Sequence, residues 1–313
     1  MSLHIDQLLG SALFGGMLCF LAAGYGAGFI ALCSQLAARS SHRVFLDKFG
    51  QQMTRMSLWS LATGVFLGGA ILWLASSRFG TDLESLLAVD PLVLAWPGGL
   101  LVLGFVLHGL SLVLWRPLKL RHPAHLLLGL MGTAALALMV PVVVNLAGQL
   151  FWGLPQETTG PGPFWWSPVW PPRGQAFGPI VGQLLVLGPG CGGAFALIYL
   201  LRRRVRDDFG RDYYRYVAPM GARWALAFLL QVPFAAWMVW QGHPVWPGLV
   251  RQDFVWAAAV FVIMTSLATI LWSLVLRSDH PMRMKAAMIG GGLCVWLAVS
   301  AQVLGAAWIH ELF

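Results

Sequence analysis

Eight apolar stretches, each about 20 residues or longer, dominate this chain, at about 8–37, 56–77, 92–115, 124–152, 178–201, 220–241, 253–276 and 284–309. Stretches of that length are what a helix needs to cross a hydrocarbon layer, where every backbone polar group must be satisfied within the segment. Composition agrees. Charged residues are 10% of the 313, hydrophobic residues 58%, and the mean hydropathy is +0.73. A chain with so few charges cannot coat a water-soluble sphere. The fold class expected is therefore an all-α membrane protein of eight transmembrane helices.

The net charge of +8 raises nucleic acid as a partner, and the placement of the charges argues against it. Arg39, Arg43, Lys48 and Arg55 fall in one interval between stretches, and Arg116, Lys119 and Arg121 in another. Arg202, Arg203, Arg204, Arg206, Arg211, Arg215 and Arg223 fall in a third, and Arg277, Arg283 and Lys285 in a fourth. The alternate intervals hold only Arg78, Arg173 and Arg251. Such asymmetry is the positive-inside pattern. It predicts cytoplasmic loops at 38–55, 116–122, 202–219 and 277–283, with both termini outside. The basic residues then report topology, and no nucleic-acid partner is expected. Met1 to Asp6 lacks a basic n-region, and the first apolar run is long for a signal peptide, so it reads as a retained helix. Cys19, Cys33, Cys191 and Cys294 all fall inside the apolar stretches, which predicts buried structural thiols.

The chain also repeats itself. Gly26-Ala27-Gly28-Phe29 in the first stretch is echoed by Gly192-Gly193-Ala194-Phe195 in the fifth. Each is followed by a basic segment with a Phe-Gly pair, Phe49-Gly50 and Phe209-Gly210. Trp59-Ser60-Leu61-Ala62 matches Trp224-Ala225-Leu226-Ala227, and His122-Pro123 matches His280-Pro281. Four matches in the same order predict two tandem four-helix bundles in parallel orientation, 1–152 and 178–313, joined by an external loop at 153–177. That loop is rich in Trp and Pro, with Phe164-Trp165-Trp166-Ser167-Pro168-Val169-Trp170-Pro171-Pro172 at its centre. It reads either as an interfacial anchor or as a docking surface or lid. Gly24, Gly26 and Gly28, and Gly188, Gly190, Gly192 and Gly193, admit close helix packing. They would equally make room for a flat ligand such as a quinone or haem.

No Asp, Glu, Lys or Arg lies deep in a stretch, which argues against a proton pump or ion-coupled transporter. The buried polar set expected is His108, Asn145, Gln149, Gln231, Gln302 and Tyr25. His108, in the third stretch, is a candidate haem ligand or a histidine hydrogen-bonded between helices, and it has no evident mate at its depth. His122, His125 and His280 fall in cytoplasmic turns. His4 and His310 form a second candidate ligand pair near the outer surface. No phosphate-binding loop, zinc-protease helix motif or hydrolase triad is present.

These residues resemble a family. The chain is similar to a divergent, shortened subunit I of the cytochrome bd-type quinol oxidases, which consist of two four-helix bundles with an external N-terminus. The likeness lies in Ala62-Thr63-Gly64-Val65 with Gly68, and in His125-Leu126-Leu127-Leu128-Gly129 with Asn145 and Phe151-Trp152-Gly153-Leu154-Pro155. It continues in Gly193-Ala194-Phe195, Tyr199-Leu200-Leu201-Arg202, Leu230-Gln231 and Trp308-Ile309-His310-Glu311. The departures fall on the family's chemistry. Its haem-ligand histidines of helices one and five align near Leu18 and near Leu184 or Gln183. Its two helix-three glutamates align near Trp96 and Gly104, and its helix-seven methionine near Met264. The long quinol-binding loop shrinks to Gln241–Gln252. A weaker resemblance is to the quinone-interacting membrane subunits of polysulfide-reductase type, although Ser76-Ser77-Arg78-Phe79 stands where their His-x-x-Arg-Pro would be.

The resemblance implies a membrane subunit of a respiratory or electron-transfer complex in a bacterial inner membrane. It implies no haem of its own and no oxygen-reducing centre, with a quinone as a possible ligand. Its partners would be the lipid bilayer and other subunits of the complex, such as a periplasmic cytochrome or iron–sulfur subunit. The alternatives are a b-type cytochrome with relocated ligands (His108, His4, His310 or Met264) and a membrane transporter.

Overall fold

The computed structural model describes residues 5–41, 44–79, 91–115, 122–152, 177–206, 209–242 and 252–310. Among these there is no strand. The helices are α1 Ile5–Ser41, α2 Val44–Phe79, α3 Pro91–Val113, α4 His122–Trp152 and α5 Phe177–Arg203. They continue as α6 Gly210–Ala225, α7 Gln231–Gly242, α8 Gln252–Arg277 and α9 Lys285–His310. A short 3₁₀ segment, Leu226–Leu230, joins α6 to α7. Pro233 lies just beyond it and cannot donate to Leu229, which fits the local change of helical geometry. With α6 and α7 counted as one, eight helical spans among the described residues are long and apolar enough to cross a membrane. All eight match the stretches read from sequence.

Two of the predicted loops are corrected. Residues 44–55 and 210–219 are helical, so the turns between α1 and α2 and between α5 and α6 are much shorter than 38–55 and 202–219. Leu46, Phe49, Met53 and Met56 recur at helical spacing and are buried, as are Tyr213, Val217 and Gly221. Charge decides which side of a membrane a segment occupies; the apolar period decides whether it is helical. The Phe-Gly match also splits. Phe49-Gly50 lies within α2, whereas Gly210 opens α6 with a φ of +77°, a left-handed conformation that glycine adopts without strain.

Helices α1, α4, α5 and α9 form the centre. Their apolar windows are 44–61% buried, against 22–28% for the spans of α2, α3, α6–α7 and α8. Within the first four helices, α1 packs on α2 and α4, and α3 packs on α2 and α4. Within the rest, α5 packs on α6 and α9, and α8 packs on α6 and α9. The two sets meet through α1 against α5 and α9, and α4 against α5.

Glycine makes this centre possible. A methyl group added at Gly26 would lie 1.9 Å from the Gly188 carbonyl oxygen, and one at Gly192 would lie 2.8 Å from the Gly26 carbonyl carbon. Gly24 receives Leu61 of α2, Gly190 receives Phe228, and Gly193 abuts the backbone of Ala225. In lipid, where burial of apolar surface gives little drive, such backbone approach supplies dispersion contacts that larger residues would prevent. The glycines of α1 and α5 are therefore packing positions, occupied by neighbouring helices. The four cysteines are free thiols within helices. Cys19, Cys191 and Cys294 are buried, as expected, whereas Cys33 is only partly so.

Candidate functional site

The polar centre of the molecule is built around a proline. Pro189, inside α5, has no N–H, so the carbonyl of Leu185 four residues earlier loses its helical donor. Tyr25 of α1 supplies the replacement. Its phenolic O–H reaches the carbonyls of Leu184 and Leu185, and its oxygen accepts the Gly188 N–H at 2.8 Å. Gly188 is required here, because a methyl group on it would lie 2.1 Å from the Tyr25 ring. On the other side of α5, Gln231 Nε2 donates to the Gln183 carbonyl at 2.7 Å. Both side chains are buried and both bond to backbone groups of the same helix, α5.

His108 is 1% exposed and lies between Gly28 of α1 and Gly132 of α4. Its Nε2 has no partner among the described residues. A methyl group at Gly28 would lie 2.5 Å from that nitrogen and 3.4 Å from Thr133 Oγ1. The Thr133 hydroxyl itself donates to the Gly129 carbonyl at 2.8 Å. One at Gly132 would lie 3.3 Å from His108 Cε1. The imidazole is thus sandwiched by two glycine backbones. On its Nε2 side the ring faces Gly28 of α1, where even a methyl group would be in steric conflict.

His125 is a correction to the turn expected from sequence. It lies in the first helical turns of α4 and is buried, with Nε2 3.4 Å from Ser111 Oγ and its ring 4.4 Å from that of Trp115 at 86°. A further polar contact joins α2 to α6: Tyr213 donates to Gln52 Oε1 at 2.6 Å, with both residues buried. Phe45, Phe209 and Tyr214 surround Tyr213, and Lys48 Nζ lies 4.8 Å from the Phe209 ring centre. Sequence reading missed this cluster, although the spacing of Tyr213, Val217 and Gly221 was available to reveal a buried helical face.

Met264 of α8 is partly buried and packs against the apolar core. His4 lies outside the described residues, as does the loop at 153–176, and His310 is the last residue of α9. Leu18 and Leu184, at the aligned ligand positions, pack against the same core. Gly104 receives Leu136 of α4, since a methyl group there would lie 2.5 Å from Leu136 Cγ. Leu18, Leu184 and Gly104 offer no imidazole, thioether or thiolate to an iron. Among the described residues no group of three or more His, Cys, Asp or Glu could hold a metal ion.

No protein-family model and no curated protein matches the sequence. Among solved structures, the chain is similar to a bd oxidase from Geobacillus thermodenitrificans, with a TM-score of 0.65 and 12% identity over 96% of this chain and 87% of that one. At that identity the likeness is one of fold: the protein has a bd-oxidase-like helical fold.

Proposed function

We propose that the chain is a membrane subunit of a respiratory electron-transfer complex in a bacterial inner membrane. It keeps the bd-oxidase fold without an oxygen-reducing centre of its own. The observation that carries this reading is the content of the aligned ligand positions. Leu18 and Leu184 pack as core residues, Gln183 binds Gln231 through its carbonyl, and Gly104 is filled by Leu136. A scaffold kept while its haem donors are replaced by packing residues serves assembly, docking or quinone contact. In this reading a quinone is the lipid-soluble exchange partner, and a periplasmic cytochrome or iron–sulfur subunit docks on the external Trp- and Pro-rich segment.

Two tandem four-helix repeats with both termini outside complete the proposal. The matching sets of helix contacts in the two halves support it. So does a matched insertion: His108 of α3 is pressed on Gly132 of α4, and Trp272 of α8 is pressed on Gly291 of α9. The transporter alternative is disfavoured because the 3₁₀ break in the sixth span has no counterpart in α2, which is continuous. The b-type cytochrome alternative rests on the unpartnered Nε2 of His108.

The test is purification of the native complex, then a reduced-minus-oxidised spectrum of this subunit after its cytochrome partners are removed. Co-purifying redox subunits with a featureless spectrum for the isolated chain are expected. A stoichiometric b-type α-band lost on His108→Ala or His310→Ala would refute the haem-free reading. Purification as a lone protein, without redox subunits or quinone, would refute the complex.

A further inference from the structure

We propose that the first half of α5, residues 177–187, and the whole of α7 form one unit that swings against the other helices. Its double hinge is Gly188-Pro189-Gly190 in α5 and Leu226–Leu230 in the sixth span, and Tyr25 of α1 is its latch. Both spans depart from regular helical bonding where they meet. Pro189 has no N–H for the Leu185 carbonyl, and glycine stands on each side of it. The 3₁₀ segment interrupts the sixth span, with Pro233 just beyond it. The two interruptions touch: a methyl group on Gly190 would lie 2.9 Å from both the Cα and the amide nitrogen of Phe228. Hinge motion needs only a few residues that absorb the backbone change, and here two neighbouring spans carry them at one place.

Burial changes at the same place. After Pro189, α5 buries every residue from Gly190 to Leu197 except Phe195; before it, Pro179, Leu187 and Gly188 are the buried ones. The sixth span divides likewise. α6 buries Tyr213, Val217, Ala218, Ala222 and Ala225, whereas in α7 Gln231 is buried and Pro233, Ala236, Trp237, Val239 and Trp240 are exposed. α6 packs on α5 and α8, while α7 packs on α5. The unit is tied within itself. Gln231 Nε2 donates to the Gln183 carbonyl at 2.7 Å, the Phe234 ring fills the space beside Gly182, and Trp237 lies against Gly178. Tyr25 holds the unit to α1 by donating to the Leu184 and Leu185 carbonyls and accepting the Gly188 N–H. Gln231 Oε1 is buried without a partner among the described residues, so the latched arrangement carries a penalty that movement relieves.

The experiment is hydrogen–deuterium exchange of the full chain in detergent, read by mass spectrometry in wild type and variants. The Tyr25 hydroxyl bonds to α5, so a response in α7 reports movement of the pair. Tyr25→Phe is expected to accelerate exchange about threefold or more in 178–187 and 231–242 together, with 212–225 and 254–275 unchanged. Pro189→Ala supplies the missing N–H and is expected to slow both responding segments. In a background of Gln231→Leu and Phe234→Ala, which cuts the tie, Tyr25→Phe is expected to accelerate 178–187 alone. A Tyr25→Phe response confined to the residues around Gly188 would overturn the inference. So would equal acceleration in all four segments, which a general loss of stability produces, and so would continued coupling of 231–242 in the cut background. If Pro189→Ala does not fold, the Tyr25→Phe comparison of the four segments decides by itself.

Discussion

Replacing Gly26 with alanine tests the packing at the centre of the molecule. The added methyl group would sit 1.9 Å from the Gly188 carbonyl oxygen and 2.2 Å from its carbon. Ordinary carbon–oxygen contact begins near ~3.3 Å, so α1 and α5 must part by roughly 1.4 Å. That displacement stretches the 2.8 Å bond between the Gly188 N–H and Tyr25 beyond hydrogen-bond range. The same movement separates the Tyr25 hydroxyl from the Leu185 carbonyl that Pro189 leaves without a donor. Overpacking costs about 1–3 kcal/mol, and a lost interhelical hydrogen bond in a membrane adds about 0.6–1.7 kcal/mol. Together they amount to roughly 2–5 kcal/mol. The assay is reversible unfolding in mixed micelles with increasing SDS, with Gly69→Ala as the control. Gly69 faces outward with nothing within 4 Å, so alanine there is expected to be neutral or slightly stabilising. If Gly26→Ala unfolds at the same SDS fraction as Gly69→Ala, the argument for backbone contact between α1 and α5 fails.

Tyr25→Phe removes only the hydroxyl and is expected to cost about 1 kcal/mol; hydrogen exchange at the Gly188 amide should accelerate, and an unchanged rate would contradict the Tyr25 contact. Gly28→Ala should be destabilising because it meets His108 Nε2 at 2.5 Å, and adding His108→Ala should restore part of the loss; strict additivity in thermal unfolding would disprove that contact. A double-mutant cycle of Gln52→Leu and Tyr213→Phe should show a coupling of about 0.5–1.5 kcal/mol for the 2.6 Å bond, and zero coupling would count against it. Single cysteines at Ser40 and Thr158 should label from opposite sides of intact cells, Thr158 from outside; labelling of Ser40 alone from outside would reverse the proposed topology.

The eight apolar runs were legible because length and hydropathy are local properties, and a segment of twenty apolar residues has few structures open to it in lipid. The small residues of α1 and α5 pointed to close packing for the same reason: glycine is uncommon without cause at so many positions of one helix. What sequence could not reveal was which partner each residue meets. The sequence places Tyr25 and Pro189 far apart, and only the approach of α1 to α5 turns a missing amide and a phenol into a bonded pair. His125 reads as a turn residue beside Pro123, yet it is buried because α3 brings Ser111 and Trp115 against it. His108 reads as a histidine held between helices or, less readily, as a ligand, and only the tertiary structure shows that Gly28 of α1 and Gly132 of α4 are the residues that meet it. Local pattern determines that a segment is a helix and that it prefers lipid. Contact between segments distant in the chain depends on the shapes of two surfaces at once, and no single stretch of sequence contains both.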